Sequence, residues 1–176
     1  MMECVLFRHG IAAERDEWEG PDADRPLTER GAKRVAQAAA GLSRLDVQPT
    51  HVLSSPLIRA IETAKIAHRL LRVRTAVRIV DELMPDASPN RLLSILHDLP
   101  PESCVLCVGH EPHLGTVASV LLSGRASASF PLKKAGACLI ELPTPAKLGH
   151  GLLRWWLTPS QLRAIGKRMT GVRDDG

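Results

Sequence analysis

The sequence is poor in aromatic residues: its 176 residues include three Trp, two Phe and no Tyr. Proteins that hold single-stranded nucleic acid stack its bases on such side chains, so this composition argues against a nucleic-acid binder. A core built from Leu, Val, Ile and Ala is expected instead. No internal repeat or low-complexity linker interrupts the sequence, and its length suits one domain.

Long apolar runs and blocks of like charge are also missing. No apolar segment reaches the roughly 20 residues that a membrane-spanning helix needs, and the first one, residues 4–7, is too short for a signal peptide. The net charge of +4 comes from scattered basic residues. Such a charge is compatible with an acidic or phosphorylated partner and does not by itself indicate nucleic acid. We therefore expect a cytoplasmic protein.

The four cysteines all lie in apolar, strand-like stretches, at Cys4, Cys104, Cys107 and Cys138. Cys104 and Cys107 have the spacing of a metal-binding or redox pair. In a strand, however, residues three apart point to opposite faces. The pattern therefore favours cysteines packed in the core as small hydrophobic side chains, which fits a reducing compartment.

Short apolar runs alternate with amphipathic helical patterns. The predicted strands cover residues 3–8, 51–54, 77–80, 104–108, 137–142 and 152–157. A helical pattern follows the first four strands and the last one, beginning near Thr28, Pro56, Ser88, His113 and Pro159. Alternating strands and helices predict an α/β fold with a mainly parallel sheet, and the last two strands predict an antiparallel hairpin at one edge. We expect one domain over residues 1–170 and a flexible tail over residues 171–176.

Basic side chains stand at the ends of three predicted strands. Arg8 and His9 end the first strand, Arg59 comes shortly after the second, and His110 follows the fourth. In an open α/β sheet, ligands bind at the carboxyl ends of the strands, so these side chains are expected to meet. Two arginines and two histidines would form an anion pocket with a nucleophile, which is what a phosphoryl group requires.

His9 is the candidate nucleophile because a neutral imidazole attacks phosphorus. The nearby Arg8 and Arg59 disfavour a third positive charge and so keep His9 neutral. The same arginines can neutralise the oxygens of the transferring group, each contacting two oxygens with its planar fork. His110 can donate a hydrogen bond to the same phosphate.

These residues lie in segments that resemble a known family. The chain resembles the histidine phosphatase superfamily, whose hallmark is Arg-His-Gly at the end of the first strand. The resemblance covers about residues 3 to 116, through Pro26-Leu27-Thr28-Glu29-Arg30-Gly31, Ser54-Ser55-Pro56-Leu57-Ile58-Arg59-Ala60-Ile61-Glu62-Thr63-Ala64 and Val108-Gly109-His110-Glu111-Pro112. The small size and the Gly-His-Glu-Pro form are most similar to the SixA-type phosphohistidine phosphatases.

The resemblance implies a phosphoglycerate mutase-like fold of three layers, α/β/α. It also implies that His9 is phosphorylated transiently and that no metal or cofactor takes part. The resemblance further implies that Arg8, Arg59 and His110 bind the phosphate. His113 stands three residues after His110, a spacing seen among metal ligands, but no third ligand is evident. The implied partner is a protein that carries phosphohistidine, such as a phosphotransfer domain of a signalling relay.

The leaving group distinguishes possible substrates. Superfamily members that act on phosphate esters carry an acid that protonates the leaving alkoxide, and Glu82, after the third strand, stands near the expected place. A phosphohistidine has a labile P–N bond and needs little such help. Only residues 84–88 separate Glu82 from the next helix, so no lid is expected. Glu111, Asp22 and Asp24 are weaker acid candidates.

Three functions are open at this point. The leading one is removal of phosphate from phosphohistidine on a protein. The second is a phosphomonoesterase that acts on a small metabolite, with Glu82 as the general acid. The third is a non-catalytic phosphate-binding or regulatory module, against which the joint presence of Arg8, His9, Arg59 and His110 argues. None of the three involves nucleic acid or a membrane.

Overall fold

The computed structural model describes residues 1–167, and its strands there are β1 (Met2–Arg8), β2 (His51–Ser54), β3 (Val77–Ile79), β4 (Cys104–Gly109), β5 (Ala137–Leu142) and β6 (Leu152–Leu157). They form one sheet in the order β3-β2-β4-β1-β5-β6. The four strands from β3 to β1 are parallel, whereas β5 runs antiparallel to both β1 and β6. The predicted parallel sheet with an antiparallel hairpin at one edge is confirmed.

Within the same residues the α-helices are α1 (Glu29–Arg44), α2 (Ile58–Leu70), α3 (Pro89–His97), α4 (His113–Ser123) and α5 (Pro159–Gly166). Apolar side chains of α1, α2 and α5 pack on one face of the sheet, and those of α3 and α4 pack on the other. Helices on both faces bury β1 and β4 from both sides, which is why residues 4–7 and 104–108 are continuous apolar runs. The three layers predicted from the sequence are present.

Two helix starts show how local chemistry sets the boundaries. α1 begins next to Thr28, as predicted, and Thr28 caps it, since its Oγ1 accepts a hydrogen bond from the Gly31 N–H at 2.9 Å. The prediction for Pro56 is wrong by two residues, because α2 begins at Ile58 and Leu57 is its N-cap. The chain stays extended beyond β2, where the Ser55 N–H still donates to the Val108 carbonyl of β4.

The alternation of side chains across the strands separates two cores. Cys107 packs with α3 and α4, whereas Cys104 packs with the side chains of α1 and α2. The prediction that these two cysteines point to opposite faces is therefore confirmed. All four cysteines are buried and free.

Two sequence predictions concern the chain as a whole. The domain end at residue 170 and the tail over residues 171–176 both lie outside the described residues. Of the helices that the structure describes, none combines the length and the apolar character needed to cross a bilayer.

Candidate active site

The register of the central strands brings the predicted site residues side by side. β1 and β4 pair in parallel with Arg8 opposite Gly109, and the His9 N–H donates to the Gly109 carbonyl at 3.0 Å. His9 and His110 therefore leave the sheet next to each other, and their ring centroids are 4.9 Å apart. β2 pairs with the other side of β4, so the first turn of α2 places Arg59 at the same edge.

These side chains line one open cavity of about 350 Å³. Its lining consists of Arg8, His9, Arg15, Asp22, Arg25, Arg59, Pro85, His110, Glu111 and Lys134. Among the described residues, cationic side chains in this lining outnumber carboxylates by five to two. The cavity therefore favours an anionic ligand.

His9 is fixed in one protonation state and one tautomer. Its Nδ1 lies 2.7 Å from the Gly10 carbonyl oxygen, which can only accept, so Nδ1 carries the proton. Burial lowers the pKa of His9 to about 3, with further lowering by the charges of Arg59 and Arg8. At neutral pH the ring is uncharged and its Nε2 keeps a lone pair, which is the form that can attack phosphorus.

His110 is held by a serine from the neighbouring strand. Its Nε2 lies 2.8 Å from Ser55 Oγ, and its Nδ1 is buried without a partner among residues 1–167. Ser55 Oγ also accepts the Leu57 N–H at 3.3 Å, and its own proton can be donated either to Met84 Sδ at 3.9 Å or to His110 Nε2. When Ser55 donates to Nε2, the ring proton of His110 resides on Nδ1, where an oxyanion could accept it. Burial, together with the neighbouring His9, lowers the pKa of His110 to about 2.

The depressed pKa values of the two histidines predict an acid-sensitive fold. In the unfolded chain these groups titrate near 6.5, so the unfolded state binds more protons than the folded state between about pH 6.5 and pH 3. The free energy of unfolding is expected to be highest above this range and to fall as the pH falls through it. Urea unfolding at a series of pH values measures this slope.

A His9→Ala variant supplies the control for this pH effect. Loss of one such histidine is expected to reduce the slope of unfolding free energy by up to about 1.4 kcal/mol per pH unit within that range. Carboxylates that contribute to the slope are unchanged in the variant. Equal slopes for the two proteins would contradict the depressed pKa of His9.

Arg8 and Arg59 are both held through Nη1 by backbone carbonyls. Arg8 Nη1 donates to the Leu132 carbonyl at 2.7 Å, and Arg59 Nη1 donates to the Asp22 carbonyl at 2.8 Å. The Nε atom of each arginine is buried and has no partner among the described residues. A bound oxyanion would satisfy these buried donors.

The two carboxylates of the cavity are both occupied by hydrogen bonds. Asp22 pairs with Arg25 and Arg59; burial raises its pKa, but the charges of these arginines outweigh burial and lower it. Glu111 Oε1 accepts the Leu132 N–H at 3.0 Å. Burial raises the pKa of Glu111, although the backbone of Leu132 and the charge of Arg8 oppose the rise.

The other predicted acids are not brought into the cavity. Neither Glu82 nor Asp24 belongs to its lining as far as residues 1–167 show. The Glu82 carboxylate instead pairs with Arg91 Nη2 of α3, at 3.0 Å. Pro85, from the short segment before α3, is the residue of that loop that reaches the cavity wall.

Sequence reasoning did not identify Arg15, Arg25 and Lys134 as part of the site. Arg25 directly precedes the motif that begins at Pro26, and this position could have indicated that Arg25 belongs to the site. Arg15 begins a short 3₁₀ helix and Lys134 lies in a loop, and no sequence motif singles out either residue.

Thr63 and Glu62, which belong to the same sequence motif as Arg59, hold the loop after β1 through hydrogen bonds. The Gly10 N–H donates to Thr63 Oγ1 at 3.1 Å, and the Leu27 N–H donates to the Glu62 carboxylate at 2.7 Å. Both bonds tie α2 to the loop after β1, so the motif around Arg59 also fixes the segment that carries His9.

No cluster of three or more His, Cys, Asp or Glu side chains suited to a metal ion occurs within residues 1–167. His113 is buried at the start of α4, and neither of its ring nitrogens has a partner in the described part of the chain. Burial lowers the pKa of His113, so its ring is uncharged at neutral pH.

Known proteins are similar to this chain in sequence and in fold. The family model of the histidine phosphatase superfamily (branch 1) matches residues 4–84. An uncharacterized protein of Picosynechococcus sp. is 36% identical over 137 residues, which is 77% of this chain and 82% of that protein. The chain belongs to the histidine phosphatase superfamily. Within it, phosphohistidine phosphatase SixA of Escherichia coli is 26% identical over 164 residues, covering 92% of this chain and 97% of SixA.

Solved structures of other proteins share this fold. The protein histidine phosphatase SixA, complexed with tungstate, matches with a TM-score of 0.80 and 26% identity over 92% of this chain and 99% of SixA. A phosphoserine phosphatase of Entamoeba histolytica in complex with 3-phosphoglyceric acid matches with a TM-score of 0.65 and 17% identity, over 92% of this chain and 100% of that one. The predicted phosphoglycerate mutase-like α/β fold is confirmed. This fold is shared by proteins named for different substrates.

Proposed function

We propose that the protein is a phosphatase that uses His9 as its nucleophile and removes phosphate from phosphohistidine on another protein. The observation that carries the proposal is the neutral His9, whose Nε2 keeps a lone pair beside Arg8, Arg59 and His110. Membership of the superfamily and the likeness to SixA support the same reaction.

In the first step, His9 Nε2 attacks phosphorus and forms a new P–N bond. The P–N bond of the substrate breaks, and its electron pair passes to the substrate imidazole, which takes a proton from solvent. In the second step, water attacks phospho-His9, phosphate leaves with loss of one proton to solvent, and the electron pair returns to Nε2. Arg8, Arg59 and the Nδ1–H of His110 neutralise the phosphoryl oxygens in both steps.

The state of the carboxylates supports phosphohistidine as the substrate. Asp22 is paired with arginines that lower its pKa, so it is a carboxylate at neutral pH and holds no proton to donate. Glu82 is paired with Arg91 outside the cavity. An alkoxide leaving group needs an acid, whereas an imidazole leaves with little help. An open cavity also suits a phosphate displayed on the surface of a protein.

A phosphomonoesterase is the second candidate, and one observation favours it. Glu111 lines the cavity and its pKa is raised by burial, which is the direction that a general acid requires. In this second candidate function the general acid is Glu111, whereas the sequence prediction named Glu82.

Phosphate release from a phosphohistidine-bearing protein and from glycerol phosphate, measured side by side with a chelator present, tests the proposal. We expect kcat/KM to be higher for the phosphohistidine protein by at least about 10³-fold, the range that a general acid contributes. Glu82→Gln is expected to leave phosphohistidine cleavage within about twofold of the original. An aryl phosphate is unsuitable, because its good leaving group conceals the need for an acid.

The opposite preference would make the protein an ester phosphatase. In that case Glu111→Gln is expected to slow glycerol phosphate hydrolysis by about 10²-fold, and a comparable loss in Glu82→Gln would restore Glu82 as the acid. A large loss of phosphohistidine cleavage in Glu82→Gln would contradict our account of the leaving group.

The partner and the compartment belong to the same proposal. We place the reaction in the cytoplasm, on a phosphotransfer-type protein of a signalling relay. The four free, buried cysteines support a reducing compartment.

A further inference from the structure

An arginine side chain offers two edges to an oxyanion. One edge is formed by Nη1 and Nη2, and the other by Nε and Nη2, because the five N–H bonds of the planar guanidinium have fixed directions. Which edge faces a phosphoryl group depends on what already holds the rest of the guanidinium. In this cavity the hydrogen bonds of Arg8 and Arg59 show which nitrogen atoms are already occupied.

Asp22 occupies the Nη1/Nη2 edge of Arg59. Its backbone carbonyl accepts from Nη1 at 2.8 Å, and its carboxylate Oδ2 accepts from Nη2 at 3.1 Å. The Arg59 Nε is buried and has no partner in the described part of the chain. The Nε/Nη2 edge of Arg59 is therefore the edge left for a ligand.

Arg8 is held in a similar way, through a hydrogen bond of Nη1. Its Nη1 donates to the Leu132 carbonyl, and its Nε is likewise buried and without a partner within residues 1–167. Two arginines that line the same cavity therefore share a held Nη1 and an Nε without a partner in the described residues. Such agreement is expected of a cradle for one tetrahedral oxyanion.

Asp22 is itself firmly held. Its Oδ1 accepts from Arg25 Nε at 3.1 Å and lies 3.0 Å from Arg25 Nη2, while Arg25 Nη1 donates to the Ala13 carbonyl at 2.8 Å. Arg15 Nε lies 3.6 Å from the same Oδ1. One oxygen of Asp22 therefore anchors the loop, and the other contacts Arg59.

We propose that Asp22 is a positioning residue: it holds Arg59 by Nη1 and Nη2 so that Nε and the second Nη2 hydrogen face the transferring phosphoryl group. This inference rests on the proposed function and assigns Asp22 a role other than that of an acid. It also predicts that Asp22 does not compete with the phosphate, because the two groups use different edges of Arg59.

Tungstate binding to the full chain, measured by calorimetry, tests this role without any turnover. Asp22→Ala is expected to weaken tungstate binding about tenfold, because Arg59 Nη2 loses the side-chain acceptor that fixes its orientation. Asp24→Ala removes the same charge from the same turn and lies outside the cavity lining, so it is expected to leave binding unchanged or slightly tighter. Asp22→Asn keeps an acceptor oxygen and is expected to recover most of the affinity.

Tungstate binding by Asp22→Ala that equals or exceeds the original would overturn the proposal, since Asp22 would then act only through its charge. Failure of the unaltered protein to bind tungstate would overturn it as well. A pH profile of kcat/KM that loses a limb in Asp22→Ala would make Asp22 an acid instead. If tungstate binding follows the expected order but no phosphorylated substrate is turned over, the proposed function fails while the role of Asp22 in orienting Arg59 stands.

Discussion

Replacing His9 with alanine is expected to lower turnover of a phosphohistidine protein by at least about 10⁴-fold. The lone pair on His9 Nε2 is the proposed attacking group, and the neighbouring His110 cannot take its place because Ser55 engages its Nε2. The arginines of the cavity are unchanged in the variant, so tungstate binding is expected to persist. Loss of turnover with retained binding would separate the nucleophile from the anion pocket.

Covalent labelling with radioactive phosphate tests whether His9 itself carries the phosphoryl group during turnover. With a substrate that carries radioactive phosphate, the unaltered protein is expected to show an acid-labile phosphoenzyme that His9→Ala does not form. His51→Ala is the matched control, because His51 lies at the opposite end of β2 from Arg59. Turnover by His9→Ala within about tenfold of the original would remove His9 as the nucleophile. Binding without turnover by the unaltered protein would favour the regulatory module.

The core of the site could be predicted because its residues follow strands that are buried on both faces. Arg8 stands at the end of the apolar strand β1, and His110 directly follows the apolar strand β4. The two strands are parallel neighbours, so their carboxyl ends lie at the same edge of the sheet. Because Arg8 pairs with Gly109 in the sheet, the next residue of each strand, His9 and His110, comes to lie beside the other. No side-chain detail beyond the strand ends was needed for this part.

The carboxylates could not be placed in this way, because their positions depend on irregular segments. Asp22 lies on a short turn, and its contact with Arg59 depends on how the loop after β1 folds back over α2. Glu82 follows β3 at the predicted place, but the position of α3 gives it Arg91 as a partner. A sequence pattern does not indicate which arginine will pair with a carboxylate that lies in an irregular segment.

Arg59→Lys is expected to lower kcat/KM about as strongly as Arg59→Ala, by about 10³-fold. Lysine keeps the positive charge, but it is a point donor and cannot contact two phosphoryl oxygens while also holding Asp22. Burial adds to this effect, because the Arg59 side chain is only 6% exposed and little water can fill the space that the guanidinium leaves. We therefore expect geometry, rather than net charge, to account for most of the loss.

Arg69→Lys is the matched control for this substitution, because Arg69 is an exposed residue in the last turn of the same helix. Its kcat/KM is expected to stay within about twofold of the original. Tungstate affinity should fall in Arg59→Lys and not in Arg69→Lys, which links the loss to the anion pocket rather than to folding. If Arg59→Lys retained more than about a tenth of the original kcat/KM, charge alone would suffice. The edge of Arg59 that Asp22 leaves free would then have no special part in holding the phosphoryl group.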